Sequence, residues 1–511
     1  MLQAIVDSRY DDDMNRKLIL RDNKKKRLGR NGMSRRGLLD HLKNMIMQGR
    51  FSFLNTLDYR MPLTKYVNMY YKLTYRNTFD YSEEVVENMV GEIMMCLGWP
   101  ARKWKLHRSE DLTLLFCECT HFNEDIGDWD VSGVTSMEHM FVFCCKFNQD
   151  LSRWNTGSVR NMSGMFHGAP SFNSPLFQNV GNVEDFDRLF YGCIDFNQDI
   201  SAWNTSMVVN MSSMFYHARS FNSEIGGWNT EAVTDMRAMF KGAISFGRDI
   251  SNWDVSCVED MGHMFEGATS FNCDLNRWDV SARLEHVEYM FKDATSFNGK
   301  FYNSDENYDG ENMFELVGAR FCQSMFEGCT NFNQEIRGEF SMVEDMSRMF
   351  YNATSFNQDI ECQSVNCTSF SKMFYNATSF NGKFSVDRDT FDNKEADLSY
   401  MFFNAKSFNQ DISDWKVSPY NSMVNMFNGA SSFNQDLNNW NFFGLGPESD
   451  YHLNGIFVNC TSLDVEMTDW FEKFISESED LDIYQYFAGS EKMLALFFAW
   501  KEVNESSDRY A

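Results

Sequence analysis

A phenylalanine followed by asparagine returns along this chain at intervals of mostly 24 to 26 residues, and no other feature restricts the fold so tightly. It stands at Phe122, Phe147, Phe172, Phe196, Phe221, Phe271, Phe297, Phe332, Phe356, Phe380, Phe408 and Phe433, and Phe246, followed by glycine, fills the one gap. A second ladder keeps step with it, usually as Met-Phe. It runs from Leu115-Phe116 through Met140-Phe141, Met165-Phe166 and Met214-Phe215 to Met426-Phe427 and Ile456-Phe457. A unit this short cannot bury its apolar face alone, so successive units must stack, each sealed by its neighbours. With 48 phenylalanines and 33 methionines the chain has the packing groups for a large core, which excludes a disordered polymer. The expected fold class is an α/β repeat solenoid, a stack of about 13 coils of about 25 residues each.

Within one coil, Val258, Met261, Met264, Phe265 and Ala268 share one face of a helix, and Ser256 with Glu259 matches a capping box. This spacing predicts a short helix within 255–268. The following stretch, 270–278, reads as a short strand and turn, so that parallel strands of successive coils would pair. Three residues past the Phe of each Met-Phe pair the chain carries only alanine or cysteine, the cysteines being Cys119, Cys144, Cys193, Cys329 and Cys460. A site restricted to those two residues needs a small apolar side chain, so these thiols read as buried packing groups, and a reducing compartment is favoured. The asparagine of the Phe-Asn step (Asn123, Asn148, Asn197, Asn222, Asn272, Asn357, Asn409, Asn434) reads as a buried amide ladder bonding the backbone of adjacent coils.

The motif FNQDISxWDVSxVxxMxxMFxxA, nearly intact at Phe246 to Ala268 and Phe408 to Ala430, resembles the BspA-like leucine-rich-repeat surface-protein family over roughly residues 110 to 465. The resemblance implies a leucine-rich-repeat-like solenoid used in binding or adhesion, and with it an exported adhesin or glycan binder as a third functional reading. The start, MLQAIVDSRYDDD, lacks a basic segment followed by an apolar one, and the apolar runs are too short for a bilayer span, so an intracellular chain, cytoplasmic or nuclear, is expected. A virion or surface assembly is the alternative location.

The expected organisation is a basic flexible arm (1–37), an N-terminal helical cap (38–109), the solenoid (110–465) and a C-terminal helical cap (466–511). In the first cap Val85, Val86, Met89, Val90, Ile93, Met94 and Leu97 form a helical stripe ending at Gly98-Trp-Pro100. In the second, Trp470, Phe471, Phe474 and Ile475, then Met493, Leu496, Phe497 and Trp500, have helical spacing. Two coils carry acidic inserts after FNGKF, at 298–318 and 381–397, which read either as partner loops or as tolerated decoration.

A formal charge of -27 disfavours nucleic acid and anionic membranes and favours a basic protein partner. Asp150, Asp199, Glu224, Asp249, Asp359, Asp411 and Asp436 hold one place in coils along the stack, giving a candidate stripe for a basic partner or a cation, whose alternatives are a solvated face and capping of backbone N–H groups. Lys24, Lys25, Lys26, Arg27, Arg30, Arg35 and Arg36 form a candidate polyanion-binding or targeting arm, the one part to which nucleic acid would be drawn. No GxSxG, HExxH, P-loop or GxGxxG pattern occurs, the nine histidines are scattered, and no enzyme activity, cofactor or metal is expected. The functional expectation is a protein-protein interaction scaffold presenting an extended repeat surface, with a structural component of a large assembly as the rival.

Overall fold

The computed structural model describes residues 111–507, apart from 118, 121, 281–282, 302–315, 317, 337–339, 365, 388–389, 392–394, 419, 441–451, 466, 468–469 and 472–481. The expected basic arm with its seven cations, the expected N-terminal cap, most of the first acidic insert and parts of the second insert and the C-terminal cap lie outside the described residues.

The described chain is a stack of coils held in parallel register. Isolated parallel bridges run from Asp111 to Ser136, Asn161, Asp185, Asn210, Asp235, Asp260, His286, Phe321, Asp345, Ser369, Asp397 and Ser422, one residue in each coil. Each bridge opens a ladder of backbone bonds: Met211, Ser213, Phe215 and His217 donate their N–H groups to the carbonyls of Asp235, Arg237, Met239 and Lys241 in the next coil, at 2.7–2.9 Å. The intervening Met214, Tyr216 and Ala218 donate instead to the carbonyl three residues back, at 3.0–3.3 Å.

This arrangement corrects the expected helix. Each coil crosses the bridged face as overlapping three-residue turns, and two residues per coil, four apart, have left-handed φ, such as His263 at 62° and Gly267 at 70°. A right-handed helix cannot pass through such residues. Ser256 donates its hydroxyl to Asp254 rather than capping a helix, and Glu259 donates its N–H to the carbonyl of Thr234 in the preceding coil. The apolar spacing nonetheless picked the right buried set, since Val258, Met261, Met264, Phe265 and Ala268 are all 0% exposed. Turns that close every three residues gather positions three and four apart on one side just as a helix does.

Inside the coils run two columns of phenylalanine. Phe215 and Phe221 stack within one coil at 3.8 Å, and each meets its counterpart in the next, Phe240 at 5.6 Å and Phe246 at 5.9 Å. Tryptophans form a third column. Trp203, Trp228 and Trp253 lie 6.3 and 6.4 Å apart, and each indole N–H donates to a carbonyl of the preceding coil, that of Phe177, Ile200 or Ile225. The polar end of each ring is thereby satisfied while the ring is buried.

The strands expected in the Phe-Asn stretch form in one place among the described residues: β1 (Ile360–Cys362) pairs in parallel with β2 (Phe384–Val386). At Asp125, Asp150, Asp199, Asp249, Asp411 and Asp436 the aspartate of this stretch bonds the N–H two residues on and turns the chain. Before β1, Asp359 accepts from the N–H of Lys383 in the next coil, and its own chain stays extended.

The repeat also runs further than expected at the C-terminal end. Tyr486-Phe487-Ala488-Gly489-Ser490 repeats the Met-Phe pattern: Phe487 stacks on Phe457 at 5.5 Å, Gly489 has the left-handed φ of 76°, and Ser490 fills the alanine site. A short α1 (Tyr484–Phe487) lies inside this last coil, and α2 (Glu491–Ser507) follows it. No helix among the described residues is long and apolar enough to cross a membrane.

Candidate interaction surfaces

The seven carboxylates of the expected stripe are all exposed. Five of them, Asp150, Asp199, Asp249, Asp411 and Asp436, accept the backbone N–H two residues on, at 2.8–3.0 Å, which is an Asx turn. Bonds from the following serine hold Asp150, Asp199, Asp249 and Asp411 below the usual carboxylate range. Asp359 caps a neighbouring coil, and Glu224 pairs with Arg248. Each of the seven therefore has a bond within the stack while remaining exposed to solvent.

The asparagine ladder bonds the neighbouring coil as expected but is not buried. Asn148 accepts the N–H of Asn173 at 2.8 Å, Asn173 that of Asn197 at 2.9 Å and Asn197 that of Asn222 at 2.8 Å. Asn148 and Asn197 are exposed, so water could satisfy these groups too, and the ladder sets register more than it rescues buried polar atoms.

Cys144, Cys193, Cys329 and Cys460 are buried at the alanine site, and each thiol donates to a phenylalanine carbonyl of the preceding coil, those of Phe116, Phe166, Phe291 and Phe427. Burial pushes these thiols up, away from the reactive thiolate. Among the described residues, no group of three or more His, Cys, Asp and Glu is arranged to hold a metal ion.

A second surface, not anticipated from the sequence, lies on the bridged face. The residues after the Phe of the Met-Phe pairs form a column along this face, half-buried at Tyr191, Tyr216, Tyr351 and Tyr375, and in two stretches their rings stack. His167, Tyr191 and Tyr216 lie 4.4 and 4.2 Å apart, and Tyr351, Tyr375 and Phe403 lie 4.7 and 4.6 Å apart. Lys241 sits over Tyr216 at 5.7 Å and Arg348 over Tyr351 at 4.3 Å, so a cation closes each aromatic run. Between the runs, ion pairs link Lys241 to Glu266 at 2.8 Å, Lys292 to Glu327 at 3.2 Å and Arg348 to Glu327 at 2.7 Å. The signal was in the sequence, because Tyr191, Tyr216, Tyr351 and Tyr375 all follow the Phe of the second ladder, but a helical reading of that stretch does not align them as one column.

Beside the first aromatic run the carboxylates are crowded. Asp185 and Asp235 are half-buried bridge residues that cap the N–H groups of Asp187 and Arg237. Asp187 pairs with Arg188 at 2.8 Å, yet burial, with Asp185 and Asp235 nearby, pushes its carboxyl up to about 6. Arg237 is drawn away to Asp260 at 3.2 Å and Glu288 at 2.7 Å. His167 is buried, and both its ring nitrogens lack a hydrogen-bond partner.

One family model, described as Mycoplasma protein of unknown function, DUF285, matches the chain over residues 84–178, 177–250, 223–321, 320–395 and 384–495. No curated protein matches. Among solved structures, the crystal structure of a TLR13–ssRNA13 complex is similar at 10% identity, with a TM-score of 0.19, over 66% of this chain and 49% of that one. The chain thus spans about half the length of that structure.

Proposed function

The chain belongs to the DUF285 family of tandem-repeat proteins, and we propose that it serves as a non-enzymatic interaction scaffold of leucine-rich-repeat-like design whose stacked coils bind a protein partner, a basic one by charge. The observation that carries this reading is the repetition of outward side chains on a backbone locked coil to coil. A ligand longer than one coil meets the same geometry again and again, without an ordering cost on the solenoid side. The BspA-like resemblance supports the same class of role. Gentle purification from the source, in-cell cross-linking and quantitative mass spectrometry test it. A partner held in a small complex that salt dissociates supports the scaffold, and absence of any cross-linked protein partner sinks it.

One observation favours the rival reading, a fixed structural part of a large assembly. Tyr484 (52% exposed), Phe498 (41%) and Val503 (67%) leave the terminal coil and α2 with apolar side chains in solvent, as expected where a permanent neighbour abuts the end of a stack. In that case the chain should co-sediment with one large particle at fixed high copy.

A further inference from the structure

We propose that the bridged face around Tyr191 and Tyr216, with Asp185, Asp187 and Asp235, docks an extended protein segment that carries arginine side chains. The inference rests on the scaffold reading and names the surface and the partner's chemistry. Three independent features converge there. Tyr191 and Tyr216 are half-buried and held by stacking at 4.2 Å, and stacked tyrosine offers contact area with little entropy left to lose. Val209, 43% exposed and one residue before the bridge residue Asn210, adds an apolar contact in the coil between.

The charge around the rings is unbalanced. Asp187 has Arg188, but no ion pair closes on Asp185 or Asp235 among the described residues, and Arg237 and Lys241 are committed to Asp260, Glu288 and Glu266. In the second aromatic run Arg348 lies over Tyr351 and is likewise ion-paired, to Glu327 at 2.7 Å. Asp185 and Asp235 are thereby left for an incoming guanidinium to neutralise, its plane resting on the tyrosine edges.

His167 is the third feature. It lies in the same aromatic column, 4.4 Å from Tyr191 and 5.3 Å from Phe143, and is 6% exposed with neither ring nitrogen bonded.

Other coils supply replacements that keep the fold. Asn161 and Asn210 fill the Asp185 column and cap in the same way, and Ser163 and Ser212 fill the Asp187 column. The variant Asp185→Asn/Asp187→Ser/Asp235→Asn therefore removes three charges using side chains native to those sites. Its control, Asp199→Asn/Glu224→Gln/Asp249→Asn, removes three from the stripe. A fluorescein-labelled peptide alternating arginine with serine is titrated by anisotropy at physiological salt into the full chain and both variants. The face variant should weaken binding about tenfold and the stripe control less than about twofold. Tyr191→Val/Tyr216→Asn, using residues found in that column at Val142 and Asn428, should weaken it to a similar extent. Equal loss in both charge variants, loss confined to the stripe, or no binding by the wild type overturns the proposal. If cross-linking captures a partner whose contacting segment lacks arginine or lies off this face, the proposal falls while the scaffold reading stands; if it captures none, the scaffold reading falls with it.

Discussion

Gly192 and Gly226 are glycines for different reasons. Gly192 has φ of 70°, and an added Cβ would have nothing nearer than the Cα of Gly168 at 3.7 Å, so Gly192→Ala costs backbone strain alone, about 1 kcal/mol. At Gly226 the Cβ would press into the backbone carbonyl of Asp249 in the next coil, which cannot swing aside, so Gly226→Ala should cost about 2 to 3 kcal/mol. Chemical denaturation followed by tryptophan fluorescence ranks the two, and the reverse order would refute the packing account. His167 gives a residue-scale prediction in pH. Burial first, then the charges of His139 and Arg188, lower its pKa to about 3 from the ordinary 6.5. The folded state therefore binds fewer protons than the unfolded one between those values. The stability that comes from keeping His167 neutral is complete above pH 6.5 and drains away on acidification at up to about 1.4 kcal/mol per pH unit. Asp187, raised to about 6, has the opposite sign: it contributes stability below its unfolded value of 3.8, lost as pH rises through 6. His167→Phe keeps a ring between Phe143 and Tyr191 and should flatten the acid slope between pH 6 and 4. An unchanged slope would show that His167 is not the group responsible.

At the scale of one coil, short polar side chains bend the chain. Asp199 bonds the N–H of Ser201, Asn204 that of Ser206 and Asn210 that of Ser212, three Asx turns in one coil. Asparagine accepts the same bond as aspartate, so Asp199→Asn should leave stability nearly unchanged, whereas Asp199→Ala should cost about 1 kcal/mol. Equal effects of the two would mean that charge and not the turn fixes this position. The same coil shows how far the sequence could be read. Period and buried ladders were legible because burial repeats with the period whatever the backbone does. The backbone conformation was not, since helix and stacked three-residue turns share the spacing of Met261, Met264, Phe265 and Ala268. A distinguishing mark was present two residues after the second-ladder Phe, where Gly168, Gly192, Gly242, Gly267, Asn352, Asn376 and Asn404 stand, the residue types that best tolerate left-handed φ. Once those positions are left-handed, the residues before them align from coil to coil, and the Tyr191–Tyr216 column follows.

For the whole stack, stability is a sum over coils and the interfaces between them, so the same substitution should act differently in the middle and at the end. Phe240 stacks on Phe215 and Phe265 at 5.6 Å each and on Phe246 at 4.0 Å, and is 0% exposed. Phe487, also 0% exposed, stacks on Phe457 at 5.5 Å on one side, and α2 follows in the chain. Truncating either to alanine should cost about 3 to 5 kcal/mol locally. At Phe240 the loss weakens interfaces on both sides, and in hydrogen exchange protection should fall in the coils before and after it. At Phe487 the fall should reach only the last coils, leaving the stretch from Asp111 to Ser422 as protected as before. Coil-resolved exchange by mass spectrometry separates these patterns. If Phe487→Ala lowered protection evenly through every coil, the stack would be one cooperative unit, and additive coupling between neighbours would be the wrong description of it.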